Sequence, residues 1–178
     1  MNERMPNATD QNGNFTNTAL FAFKGNIPAG WLVREVLTVC ESYKCAFDRL
    51  SSAKMVTPTF FILSGLSGNE AAVITRDPES VVNVRTLTDQ NWFLVQTNQD
   101  HFKGDCRKRC WWARFKFLSI GESNISMDRM YKEVLTAWPN LNELSIYAVA
   151  TSPATGYFQV YRVWGHNETD SNVTLALS

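Results

Sequence analysis

The chain has little from which to build a metal centre: only two histidines, His101 and His166, stand among its 178 residues. The four cysteines, Cys40, Cys45, Cys106 and Cys110, never fall into the C-x-x-C spacing of a zinc or thioredoxin site, so no metal site is expected. An excess of either charge is also missing, with 17 basic side chains against 17 acidic ones. The densest basic patch is Arg107-Lys108-Arg109, too short to argue for nucleic acid as a partner. No apolar run approaches the length of a membrane span. Neither G-x-G-x-x-G, nor a P-loop, nor G-x-S-x-G occurs, which leaves no sign of dinucleotide, nucleoside triphosphate or serine-hydrolase chemistry. Residues 1–20 do not read as a signal peptide, because no positive region there precedes an apolar one.

Hydrophobic residues make up 44% of the chain and aromatic ones 12%, which suits a globular protein with a real core. Asparagine is more informative. Asn-x-Ser/Thr occurs at Asn7, Asn14, Asn124, Asn167 and Asn172, against about two or three matches expected by chance. All five lie in polar, turn-like segments suited to surface glycans. A secretory-pathway glycoprotein is the expectation, and without an entry signal Met1 reads as an internal methionine of a longer precursor. The alternative is a cytosolic protein whose sequons are accidental. In an oxidising lumen the four cysteines would pair, in one of three ways; otherwise they are free buried thiols.

Residues 26–56 read as helical, with Trp31, Leu32, Val36, Leu37 and Val39 near one face. Ser42 is placed to cap a second helix carrying Ala46, Phe47, Leu50 and Met55, so the region is one bent helix or two. Four strand-like runs follow, "TFFILSG", "EAAVITR", "SVVNVRTL" and "WFLVQTN", separated by short turn-forming segments that favour an antiparallel meander. Residues 102–122 read as an irregular basic and aromatic stretch. "SMDRMYKEVLTAW" is a helix with Ser126 as N-cap and Asp128 in its first turn. "LSIYAVAT" and "YFQVYRVW" make a final hairpin. This order predicts an α+β fold, with one domain or part of one over residues 1–165 and a polar, mobile tail over 166–178.

"MNER" at 1–4, "NIPAGWLVREVL" at 26–37, "FFILSG" at 60–65, "VITRDPESVVNVRTL" at 73–87 and "WFLVQTNQDHFK" at 92–103 occur in one order. With "NISMDRMYKEVL" and "LSIYAVATSPATGYFQVY" they resemble the acid ceramidase and N-acylethanolamine acid amidase family, almost to Val163. The specific part is I-T-R, then a strand, then aromatic-x-V-Q-T-N-x-D-H. "IPAGWLVREVL" and "DHFK" are closer to the ethanolamide amidase branch, and "VQTN" to the ceramidase branch.

The resemblance implies an αββα N-terminal-nucleophile hydrolase with mostly antiparallel sheets and no cofactor. In such amidases the precursor cuts itself, and a cysteine becomes the first residue of the large subunit. Its thiol attacks the amide carbonyl of a fatty-acyl lipid while its own α-amino group acts as base. A carboxamide aimed at the developing oxyanion stabilises it without adding a titrating group. Carried over, Asn98 matches the oxyanion-side asparagine and Glu3 a glutamate near the active site. The arginine of the family's D-D-R-R segment falls on Arg109, with Arg107 second, in a stretch that is shorter here and has gained Cys106 and Cys110. Gln99 stands where the family has tyrosine. The Cys-initiated start and R-N-x-D motif do not occur. The resemblance thus implies the carboxyl-terminal part of a large subunit of a lysosomal lipid amidase, inactive alone. Its partners would be a small subunit, the nucleophile-bearing segment of the same precursor and a membrane surface. The competing expectation is a non-catalytic secreted binding module that keeps the scaffold.

Overall fold

The computed structural model describes residues 2–3, 11–104, 106–141 and 145–162, without the side chains of residues 2, 3, 11–16 and 162. The expected tail over 166–178 and the sequons at Asn7, Asn167 and Asn172 lie outside the described residues. The chain divides into two compact units, Met1–Asp105 and Cys106–Ser178.

The first unit holds α1 (Gln11–Phe23), α2 (Ala29–Val39) and α3 (Tyr43–Ser52), with the strands β1 (Asn2–Glu3), β2 (Thr59–Ser64), β3 (Ala71–Arg76) and β4 (Val81–Thr86). The strands form one antiparallel sheet in the order β1-β2-β3-β4. Its meander is closed by the turns that composition suggested. Between β2 and β3 the Glu70 carboxylate accepts from the amides of Leu66 (3.0 Å) and Ser67 (3.1 Å). After β4, Thr88 and Asn91 exchange backbone hydrogen bonds of 3.2 and 2.9 Å.

Residues 26–56 form two helices, α2 and α3, not one bent helix. Ser42 caps α3, its Oγ accepting from the Cys45 amide at 3.2 Å, and the Cys40–Cys45 disulfide closes the corner between α2 and α3. The buried stripe of α2 is Ala29, Leu32 and Val36, at helical spacing. Trp31, Leu37 and Val39 were expected on that face but are 69%, 79% and 60% exposed. Leu32 and Val36 pack with Ala46, Leu50 and Met55 against Phe61, Ala72 and Ile74 on one face of the sheet. Each large side chain buried there contributes about 1.5–3 kcal/mol. β3 is buried on both faces along most of its length, so its run of apolar residues is continuous and not alternating.

Arg76 ends β3 and is fully buried. Its guanidinium donates to the carbonyls of Leu50, Ala53 (2.6 Å) and Ser80 (3.0 Å). Leu50 lies in the last turn of α3 and Ala53 is its C-cap, so the cation satisfies carbonyls that the helix leaves orphaned at its negative end. Burial pushes the guanidinium below its ordinary value and the Asp77 carboxylate pulls it back up.

The second unit contains α4 (Lys108–Ile120), a short helical turn α5 (Met127–Arg129) that continues as a π-helical segment (Met130–Leu135), and the hairpin β5 (Tyr147–Ser152) and β6 (Tyr157–Arg162). The Ser126 cap is present, its Oγ accepting from the Arg129 amide at 3.2 Å. α4 corrects the reading of residues 102–122 as irregular. Its buried residues are only Cys110, Ala113 and Ile120, while Trp111, Phe115 and Leu118 are exposed. An inside that small leaves no apolar stripe for periodicity to find. α1 was likewise missed, in a stretch that reads as a polar start.

The run "WFLVQTN" is corrected as well. Residues 92–97 belong to no strand; the Val95 and Thr97 carbonyls are met by the side chains of Arg85, His101 and Gln96.

Candidate active site

Asn98 sits half-buried in a bend, at the tip of a loop that begins at Val95 and ends in the 3-10 turn His101–Lys103. The loop is bonded to itself and to β4. The Val95 carbonyl accepts from Arg85 Nη1 (3.3 Å), Arg85 Nη2 (3.2 Å) and His101 Nδ1 (3.0 Å). A carbonyl only accepts, so Nδ1 carries the ring hydrogen; in the neutral ring Nε2 then accepts from the Thr97 hydroxyl at 2.7 Å. Arg85 Nη2 also donates to Gln96 Oε1. That fixes which way the Gln96 carboxamide points, and its Nε2 donates to the carbonyls of Thr97 (2.5 Å) and Gln99 (2.9 Å). The two residues flanking Asn98 are therefore held by one amide group. Beyond the bend, Lys103 pairs with Asp100 at 3.2 Å, and Gly104 at φ 78° closes the turn in the left-handed region that glycine favours.

Arg85 reaches this loop from the sheet face opposite the helices. It stands across from Val73, as Asn83 stands across from Thr75, and cross-strand partners share a face. That face carries Thr75, Asn83 and Arg85 beside the buried Phe60 and Val73. Thr75 Oγ1 and Asn83 Oδ1 are buried there with no hydrogen-bond partner among the described residues.

The other two residues expected in the site are placed differently. Glu3 is on β1, its backbone paired with Thr59, and its side chain lies outside the described residues. β1 and β4 are the two edges of the sheet, about 14 Å apart at the usual strand spacing, so Glu3 and the anchor of the Asn98 loop start from opposite sides. Arg109 belongs to the second unit, exposed in the first turn of α4. Arg107 is the N-cap of that helix, and the Cys106–Cys110 disulfide spans both arginines. With both disulfides formed, the chain has no free thiol. No cluster of three metal-ligating side chains occurs among the described residues.

The chain is 35% identical to acid ceramidase of Homo sapiens over 138 residues, 74% of this chain and 34% of that protein. It is 31% identical to the N-acylethanolamine-hydrolyzing acid amidase of Rattus norvegicus over 137 residues, 73% and 37% of the two. A solved structure, the Caenorhabditis elegans ortholog of that amidase, is 28% identical and superposes with a TM-score of 0.71, covering 90% of this chain and 63% of that one. The chain is a homologue of the acid ceramidases and N-acylethanolamine-hydrolyzing acid amidases. No general family model matches it. The chain spans about a third of the length of the curated relatives it matches. With the family comes the fold class: α+β, of the N-terminal-nucleophile hydrolase kind.

The sequence singled out Asn98 and left out Arg85 and Gln96, which the structure places on its loop. The signal was present in "NVR", where two polar residues at i and i+2 share one face of a strand, opposite the threonine of "ITR".

Proposed function

We propose that this chain is the carboxyl-terminal part of the large subunit of a lysosomal lipid amidase. The reaction is hydrolysis of the amide bond of an N-acylethanolamine or a ceramide to fatty acid and amine. The observation that carries the proposal is the Asn98 loop: a neutral carboxamide on a bend whose flanking carbonyls are both bonded internally. Such a donor is worth most when it is already in place and need not reorganise as charge develops on the carbonyl oxygen. Loss of one oxyanion donor costs ~3–4 kcal/mol of transition-state stabilisation.

All four cysteines are bound in disulfides, so the attacking thiol comes from another segment of the same precursor. Its sulfur adds to the amide carbonyl, its α-amino group takes the thiol proton and returns one to the leaving amine, and water then releases the acyl group. Asn98 Nδ2 donates to the oxyanion. Glu3 stands near the reacting amide, and Arg109, with Arg107 as second choice, supplies the active-site cation. Disulfides fit the oxidising lumen of the secretory pathway, on the route to the lysosome. The exposed Asn124 of the sequon at 124–126 is open to a glycan. No helix among the described residues is long and apolar enough to cross a membrane. Leu20 and Phe23 on α1, with Trp31 and Leu37 on α2, are exposed and would meet the surface of a lipid assembly, where such substrates reside.

The lack of a free thiol favours one second reading, a binding module that retains the scaffold without turnover. Co-expression with the Cys-initiated segment and small subunit of the precursor decides between them. A fluorogenic fatty-acyl amide should be hydrolysed by the assembly and not by the 178-residue chain alone. Turnover by the chain alone contradicts the missing nucleophile, and an inert assembly supports the binding module.

A further inference from the structure

We propose that Arg85 and Gln96 are positioning residues that aim Asn98, an inference resting on the oxyanion role given to Asn98 above. The geometry is a relay of donors to acceptors with no ambiguity in either direction. A guanidinium can only donate, so the Gln96 atom facing Arg85 is Oε1. The opposite end of that carboxamide, Nε2, then faces outward as a double donor, and it meets the Thr97 and Gln99 carbonyls on both sides of Asn98. Arg85 simultaneously holds the Val95 carbonyl at the start of the loop. His101 closes the other end through Val95 and Thr97. One cation on β4 thus fixes the rotamer of one glutamine, and that glutamine holds the peptide plane that precedes Asn98 and the one that follows Gln99.

This arrangement explains why a stretch that reads as a strand is not one. The Val95, Thr97 and Gln99 carbonyls are committed to side chains that hold a bend, which a hydrogen-bonded strand would straighten.

The variants to compare are Gln96→Met, which keeps the length of the side chain and removes both ends of the relay, Arg85→Met, Arg85→Lys and Asn98→Ala. Each is made in the assembled enzyme and assayed on the fluorogenic fatty-acyl amide. Gln96→Met and Arg85→Met should lower kcat by about tenfold with KM within twofold, because a misaimed donor is lost in the transition state and not in substrate binding. Arg85→Lys should recover part of the loss. Amide hydrogen exchange on the same proteins should quicken at residues 97–101 while β2 and β3 stay protected. Unchanged kcat in Gln96→Met and Arg85→Met, beside a large loss in Asn98→Ala, overturns the relay and leaves the role of Asn98 standing. Loss of protection throughout β2 and β3 shows the pair holding the fold instead, and also overturns it. Unchanged kcat in Asn98→Ala removes both readings together.

Discussion

Replacing Arg76 by alanine should be among the most damaging single changes in the first unit, and its size can be worked from three contacts. The guanidinium donates to the carbonyls of Leu50, Ala53 and Ser80 from a fully buried position. Hydrogen bonds to a charged group contribute about 1.5–3 kcal/mol each, so three would sum to roughly 4.5–9 kcal/mol. Desolvating the cation offsets several kcal/mol of that, while each neutral carbonyl left unpaired costs about 1–3 kcal/mol, for a net loss of about 3–5 kcal/mol. The substitution also leaves orphaned carbonyls at the end of α3 and a void beside Leu50. A loss of ~3–5 kcal/mol is a large share of the roughly 5–15 kcal/mol that holds a domain together. With a urea slope of about 2 kcal/mol per molar, the unfolding midpoint should fall by about 1.5–2.5 M. Arg76→Lys keeps the charge but not the fork, and should lose roughly half as much. The assay is urea denaturation followed by circular dichroism. A midpoint for Arg76→Ala within about 0.3 M of the parent would show that the three contacts carry no net stability, and the reasoning would fail.

Thr75→Val should leave stability unchanged or raise it by about 1 kcal/mol, since the hydroxyl is buried with no partner among the described residues and the shape is kept. A lower urea midpoint would show that the hydroxyl is bonded after all. Tyr161, whose hydroxyl lies 3.0 Å from that of Tyr157, has its pKa pushed up to about 12, first by that hydrogen bond and then by burial. Raised above the ordinary value, it contributes stability that is full below about pH 10 and lost as pH rises through about 12. Absorbance titration should show Tyr161 late, alongside the raised Tyr43 and Tyr131, with one late component moving down in Tyr157→Phe; an unmoved titration would contradict the assignment. The paired change Cys106→Ala/Cys110→Ala should cost about 2 kcal/mol, because the closed loop is short. Its exchange signature should stay within the first turn of α4, around Arg107 and Arg109; a loss spread over the whole second unit would refute that.

Much of the fold was legible because it is locally encoded. The strands β2, β3 and β4 are short apolar runs bounded by turn formers. Ser42 and Ser126 announce helix starts by chemistry that acts within three residues. What escaped was decided by distant partners or by an unusual surface. α4 turns Trp111, Phe115 and Leu118 outward and buries only Cys110, Ala113 and Ile120, which blurs the pattern that periodicity reads. The stretch 92–97 has the composition of a strand, but its carbonyl at Val95 is taken by Arg85, ten positions earlier, and by His101, six positions later. Asn98 was singled out through a resemblance, as residues alone make it an ordinary turn asparagine. Arg85 could not be found that way, because in "SVVNVRTL" it reads as a solvated strand residue until the loop it holds is seen.

The most direct test of the oxyanion reading is the kcat of Asn98→Ala in the assembled enzyme on a fatty-acyl amide, with folding checked by circular dichroism. The expected result is a fall of about 10²–10³ in kcat, with KM within a few-fold of the parent. A folded variant whose kcat stays within twofold of the parent would contradict it.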